Sequence, residues 1–216
     1  GSRSDTSADW GSPDCPGPVA PQLFAPHGVD VGTGPGGLPM LAVVNHGSRE
    51  SVELFEITQI ESGPRLEWRG CVRLPEKIWP NDVALLGDGA FLVSDMMPPR
   101  NGPTLDTLVA AAHLIFGGDT GAVLEWSQQR GWSPVPHSEG SAPNGVAVSS
   151  DGREIFVAEW GAKRLVRLRR HADVIVAVDN PINVDALGAA AAAAGVRLRV
   201  VIEMDIGIKR AGVYDP

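Results

Sequence analysis

The stretch Pro80-Asn81-Asp82-Val83-Ala84-Leu85-Leu86-Gly87-Asp88-Gly89-Ala90-Phe91-Leu92-Val93-Ser94-Asp95 decides the fold, because its pattern occurs three times in the chain. Upstream, Pro26-His27-Gly28-Val29 leads to an apolar run at 41–44 and ends at His46. Downstream, Pro143-Asn144-Gly145-Val146 passes through Ser150-Asp151-Gly152 to a run at 155–158 and ends at Glu159. Each copy reads as a hairpin whose turn carries the Gly or Asp-Gly that a tight strand reversal needs. The copies start 54 and 63 residues apart. That exceeds the roughly 40–50 residues of a propeller blade, so inserted loops are expected. One insert is 104–116, where Leu105, Leu108, Val109 and Ala112 fall at helical spacing after a Gly-Pro pair.

Outward from the repeats, residues 26–170 keep the same character of short apolar runs broken by turn signals, an all-β pattern. Residues 1–25 are rich in Ser, Pro, Gly and Asp without periodicity and read as a surface loop or tail. The 216 residues are 43% apolar and 20% charged, as in a globular protein, and the 26 glycines and 18 prolines fit many turns. No run nears the roughly 18 apolar residues of a membrane span, and no secretory signal pattern is present. The chain opens on Gly1, as a processed or fragmentary chain does, so an address label could have been lost. A formal net charge of −8 argues against a nucleic-acid partner, since phosphate binding needs a basic face. Cys15 and Cys71 lack metal-ligand spacing; one bridge and two free thiols are both open.

In a propeller the innermost strand of every blade starts at the same end of a central channel, so equivalent positions converge on the axis. Here these are His27, Asn81 and Asn144. A lone Asn at a strand start commonly just caps a turn; three polar residues in phase, each beside Pro, predict a ring of imidazole and amide ligands at one mouth.

The motifs Pro26-His27-Gly28, Val43-Val44-Asn45-His46, Val52-Glu53-Leu54-Phe55, Pro80-Asn81-Asp82-Val83 and Asn144-Gly145-Val146, together with Ile155-Phe156-Val157-Ala158-Glu159, resemble the paraoxonase/arylesterase branch of the calcium-dependent gluconolactonase-like propellers over roughly residues 20–170. The resemblance implies a six-bladed propeller hydrolysing a small-molecule lactone or aryl ester at a channel-bound Ca2+, in a periplasmic or extracellular setting. It implies Asn81 and Asn144 as ligands of the catalytic calcium, Asp82 as a ligand of a second, structural calcium, and His27 with His46 as a pair in which one ring takes a proton from water while the other orients it. An imidazole suits that task because its pKa of about 6.5 lies near working pH. A hard cation of six to eight oxygen ligands suits carboxamides and carboxylates. The family's first-blade Glu ligand has no counterpart here, and Asp179 is a poor match for its later Asp-Asn pair. His113, His137 and His171 have no such support.

Gly32, Gly34 and Gly37 satisfy the spacing of a dinucleotide-binding loop, but Pro35 lies inside it and a strand follows, so a hairpin turn is expected. After Arg170 the style changes. An apolar run at 174–178, a helix signal with Asn180 as cap, Pro181 at its first position and Val184, Leu187, Ala191 and Ala194 as its stripe, and a second run at 198–202 predict a strand–helix–strand crossover. Residues 171–216 resemble a piece of a fold-type III pyridoxal-phosphate barrel of the alanine racemase, D-threonine aldolase and D-serine dehydratase type, on the run from Val200 through Glu203 to Lys209-Arg210-Ala211-Gly212-Val213. That resemblance implies Arg210 beside the cofactor, but the Schiff-base lysine has no counterpart, and one βαβ unit of eight cannot form the pocket. The expectation is therefore a mainly β chain, a partial six-bladed propeller with a C-terminal βαβ segment, joined by natural fusion, by engineering or by misassembly of two genes. Its functions in order are calcium-dependent hydrolase, catalytically silent propeller fragment, and fragment of a pyridoxal-phosphate enzyme.

Overall fold

The computed structural model describes residues 10–61, 63–87, 89–97, 118–170, 175–178, 181–193 and 199–202. The chain divides into two compact units, Gly1–Arg170 and His171–Pro216. It is mainly β.

The first unit contains β1 (Trp10–Gly11), β2 (Pro26–Thr33), β3 (Pro39–Asn45), β4 (Ser51–Ile60), β5 (Gly63–Arg73), β6 (Pro80–Gly87), β7 (Ala90–Asp95), β8 (Val123–Ser127), β9 (Gly131–Pro134), β10 (Pro143–Val148), β11 (Glu154–Glu159) and β12 (Arg164–Arg169). They form three sheets ordered β1-β5-β4-β3-β2, β6-β7-β8-β9 and β10-β11-β12. All pairings are antiparallel except β1 with β5. The three copies are the hairpins β2/β3, β6/β7 and β10/β11, and each breaks register at the same place, between Pro26 and Val29, Pro80 and Val83, and Pro143 and Val146. A break of this kind re-aims the side chains inside it, and His27, Asn81 and Asn144 sit there. The glycine-rich segment between β2 and β3 is a turn with a short 3-10 stretch at Pro35–Gly37, as expected for a hairpin.

Strand alternation explains why the middle sheet is apolar on both sides. Successive residues point to opposite faces, so Val83, Phe91, Val93 and Trp126 join Met40, Ala42, Val44, Val52, Leu54 and Val72 of the first sheet in one core. From the other face, Ala84, Leu92 and Val123 join Val146, Ile155 and Val157 of the third. The strands that open the copies lie side by side, β2 against β6 and β6 against β10. Two acidic side chains stitch them: Asp30 accepts the Leu85 N–H at 2.8 Å, and Asp82 accepts the Val146 N–H at 3.0 Å.

The described part of the 1–25 segment is a surface loop tied to the first sheet. Trp10 and Gly11 pair with Gly70 and Cys71, and Cys15 is disulfide-bonded to Cys71 with Cα atoms 5.5 Å apart. The first copy ends at Asn45 rather than His46, since Pro26, Pro80 and Pro143 pair with Asn45, Asp95 and Glu159. These three share a job. Their side-chain oxygens accept the backbone N–H of Ala25 (2.9 Å), Trp79 (3.0 Å) and Ser141 (3.1 Å), just ahead of each opening strand.

In the second unit β13 (Ile175–Val178) pairs in parallel with β14 (Arg199–Ile202), and α1 (Pro181–Ala193) connects them. On α1, Leu187 and Ala191 are half-buried while Val184 is exposed. The helix expected at 104–116, with His113, lies outside the described residues, as do His171, Asp179, Asn180, Ala194, Glu203 and Arg210.

Candidate functional site

A cavity of about 830 Å³ opens beside the starts of the first two copies, lined among others by His27, His46, Glu50, Trp79, Asn81 and Met96. His27 projects from the β2 register break and is exposed. His46 follows β3 on the turn into β4. Asn45 builds that turn: buried, it donates from Nδ2 to the carbonyls of Gly47 (2.9 Å) and Arg49 (3.0 Å) and accepts the Gly47 N–H at 3.1 Å. The N-terminal segment braces it from outside, with Ala25 O accepting the His46 N–H at 3.0 Å. Gly47 is required there, because a Cβ would lie 1.5 Å from the Leu23 carbonyl oxygen.

The two imidazoles meet. His27 Nδ1 lies 3.2 Å from His46 Nε2, and His46 Nδ1 lies 2.7 Å from Glu50 Oε2. The His46 ring also meets the Trp79 indole edge-on, with centroids 6.3 Å apart. The described residues thus hold a carboxylate–imidazole–imidazole chain that ends in the cavity at an exposed ring.

Asn81 and Asn144 are brought together through Met96, whose Sδ accepts from Asn81 Nδ2 at 3.3 Å and from Asn144 Nδ2 at 3.9 Å. Ser94, buried in β7, fixes both surrounding backbones: its hydroxyl accepts the Asp82 N–H at 3.0 Å and donates to the Asn144 carbonyl. Asp82 points elsewhere. Its carboxylate lies between β2 and β10, where Gly28 makes room for it; a Cβ on Gly28 would sit 2.6 Å from Oδ1. Asp95 is half-buried near the cavity, and loss of water pushes its carboxyl up to about 7 despite the N–H it accepts from Trp79. His137 sits apart in an exposed turn.

As a cation site the donors are right in kind and short in number. The Asn81 and Asn144 carboxamides converge from adjacent sheets, a carboxamide oxygen is a ligand calcium accepts, and both thiols are closed in a disulfide. Among the described residues no group of three or more His, Cys, Asp or Glu is placed to hold a metal.

Sequence reasoning missed Glu50, Trp79 and Met96. Glu50 lies four residues beyond His46, a spacing that a turn brings together but that matches no strand periodicity. Compared with models of known protein families and with curated proteins, the chain matches none. No helix among the described residues is long and apolar enough to cross a membrane.

Proposed function

We propose that the first unit is part of a six-bladed β-propeller and that its cavity hydrolyses small-molecule aryl esters or lactones with the help of calcium. The observation that carries this reading is the 3.2 Å contact between His27 and His46, in a cavity that Asn81 also lines. An imidazole pair with one ring exposed can take a proton from water and keep the acceptor ring oriented. Trp79 and Met96 give the cavity apolar walls for an acyl or aryl group. The carboxamides of Asn81 and Asn144 would hold the calcium. Bound, a cation of this kind polarises a carbonyl and stabilises the oxyanion formed on it. Asp82, implied by resemblance at a second calcium, has a function without one, as the stitch between β6 and β10.

The test is hydrolysis of phenyl acetate and of a simple lactone by the whole chain, with calcium and after chelation. His27→Gln and His46→Gln should each lower kcat by about 10²-fold or more. Hydrolysis untouched by both variants, or by chelation, rejects the reading.

A second reading, a catalytically silent propeller fragment, is favoured by the bare outer face of the third sheet, where Ala147, Ala158, Leu165 and Arg167 are exposed. It predicts that calcium leaves the melting temperature unchanged.

A further inference from the structure

We propose that Glu50 is the positioning residue that assigns the roles of the two histidines, making His46 the orienting ring and the Nε2 atom of His27 the free base. The argument is one of hydrogen-bond polarity. A carboxylate can only accept. Its 2.7 Å contact therefore places the proton of neutral His46 on Nδ1 and leaves His46 Nε2 with a lone pair. The 3.2 Å contact with that lone pair then places the proton of His27 on Nδ1. His27 Nε2, on the exposed ring, is left as the basic nitrogen. Every hydrogen bond of the chain points towards Glu50.

The backbone holds this arrangement. Besides the Asn45 bonds to the turn, the Glu50 carbonyl accepts the Leu74 N–H from the segment after β5 at 3.0 Å. The Glu50 side chain is 40% exposed, so replacing it removes the hydrogen bond without opening a core cavity. Without Glu50, His46 would return to the Nε2–H form that an unconstrained imidazole favours. That N–H would point at His27 Nδ1, force the His27 proton onto Nε2, and abolish the base.

The catalytic consequence rests on the hydrolase reading; the protonation pattern does not. In the reaction, an O–H bond of water breaks, its proton passes to His27 Nε2, and the oxygen forms a bond to the ester carbon as the carbonyl π pair moves onto oxygen. When that pair returns, the C–O bond to the leaving group breaks. The leaving oxygen takes the proton back from His27.

The experiment reads both levels. Long-range proton–nitrogen correlations on the nitrogen-15-labelled whole chain, at a pH where its five histidines are neutral, give the tautomer of each ring, with His27→Gln and His46→Gln supplying the assignments. In the wild type both His46 and His27 should carry the proton on Nδ1. Glu50→Gln, which keeps an acceptor oxygen, should preserve that pattern, and Glu50→Leu should move both protons to Nε2. Phenyl acetate kcat should fall about 10²-fold in Glu50→Leu with KM nearly unchanged, and recover in part in Glu50→Gln. A wild-type His46 protonated on Nε2, or a Glu50→Leu protein that keeps the Nδ1 proton, overturns the assignment. If the tautomers switch as stated while the wild type hydrolyses neither esters nor lactones, the hydrolase reading falls and the role of Glu50 in fixing the rings stands.

Discussion

The first and third sheets of the first unit start from the same hairpin, yet one has its outer face covered and the other does not. On the first sheet, Val43, Glu53 and Cys71 face away from the middle sheet and are still buried. The segment before β2 lies over them. Cys15 bonds Cys71, Gly17 O accepts from Arg49 at 2.7 Å, and the Phe24 ring meets Phe55 edge-on at 6.2 Å. On the third sheet the corresponding face carries Ala158, Leu165 and Arg167 in the open. The difference shows that the outer face of a sheet can be covered by an irregular strap, and that this strap also supports the His46 turn.

The largest predicted effect comes from undoing the strap. The disulfide closes a loop of 56 residues, and chain-entropy reasoning assigns such a loop roughly 4 kcal/mol. Replacing Cys15 and Cys71 together by serine should lower unfolding stability by about that amount in denaturant titrations. It should also loosen the His27–His46 pair, read as broadened imidazole resonances. Unchanged stability would mean that Arg49 and Phe24 hold the segment on their own.

Next come the glutamates at the two ends, each held by an arginine. Glu53 is 1% exposed and receives Arg49 at 2.7 Å, with Ser51 and Trp68 also donating. Glu159 is 3% exposed, but its partner Arg164 is 59% exposed. Removing one member of a buried pair leaves an uncompensated charge, whereas an exposed partner is replaced by water. Arg49→Met should therefore cost about 3 kcal/mol, and Arg164→Met much less. Equal losses would mean that the exposure of the arginine does not set the cost.

A smaller effect compares the middle copy with the first. Asn45 and Asp95 accept equivalent backbone N–H groups, of Ala25 and Trp79, one as an amide and the other as a carboxyl raised from 3.8 to about 7, chiefly by loss of water. Between those values the native state holds a proton that the unfolded chain has released. The contribution of this carboxyl is therefore fullest below about pH 4 and falls as pH rises towards 7. Asp95→Asn keeps the acceptor oxygen and removes the charge. It should stabilise the protein by about 1–2 kcal/mol at pH 8 and by nothing at pH 4, measured as paired thermal melts.

How much of this was legible in the sequence differs between the copies and the strap. The three hairpins follow from local chemistry: turn glycines, alternating apolar residues and a Pro-polar start recur in order, so the register breaks at His27, Asn81 and Asn144 line up in space as they do in the chain. The double-sided core was not read from the sequence, although the uninterrupted Phe91-Leu92-Val93 is the run that fills both faces of the middle sheet. Nor was the strap. Residues 12–25 lack periodicity because they run over a sheet without joining it, and two cysteines alone do not declare a bridge. Glu50 was hidden for a related reason: its partner is reached through a turn shaped by Asn45, and side-chain bonds to a turn leave no repeat. Asp82 was placed at a calcium by the family resemblance alone, while its role between strands depends on Gly28 and Val146 arriving from other sheets.

The smallest effect tests the open end itself. Leu165 is 70% exposed on β12, opposite the exposed Ala158, and its neighbours Val166 and Leu168 turn inward to the second core. A leucine left in water contributes little to folding, so Leu165→Thr, which keeps strand propensity, should change stability by less than about 0.5 kcal/mol. Val157→Ala, on the inward face of the adjacent strand, should cost several times more. A loss above about 1 kcal/mol for Leu165→Thr would mean that this face is buried in solution, and the contrast between a strapped first sheet and a bare third sheet would then fail at its third-sheet end.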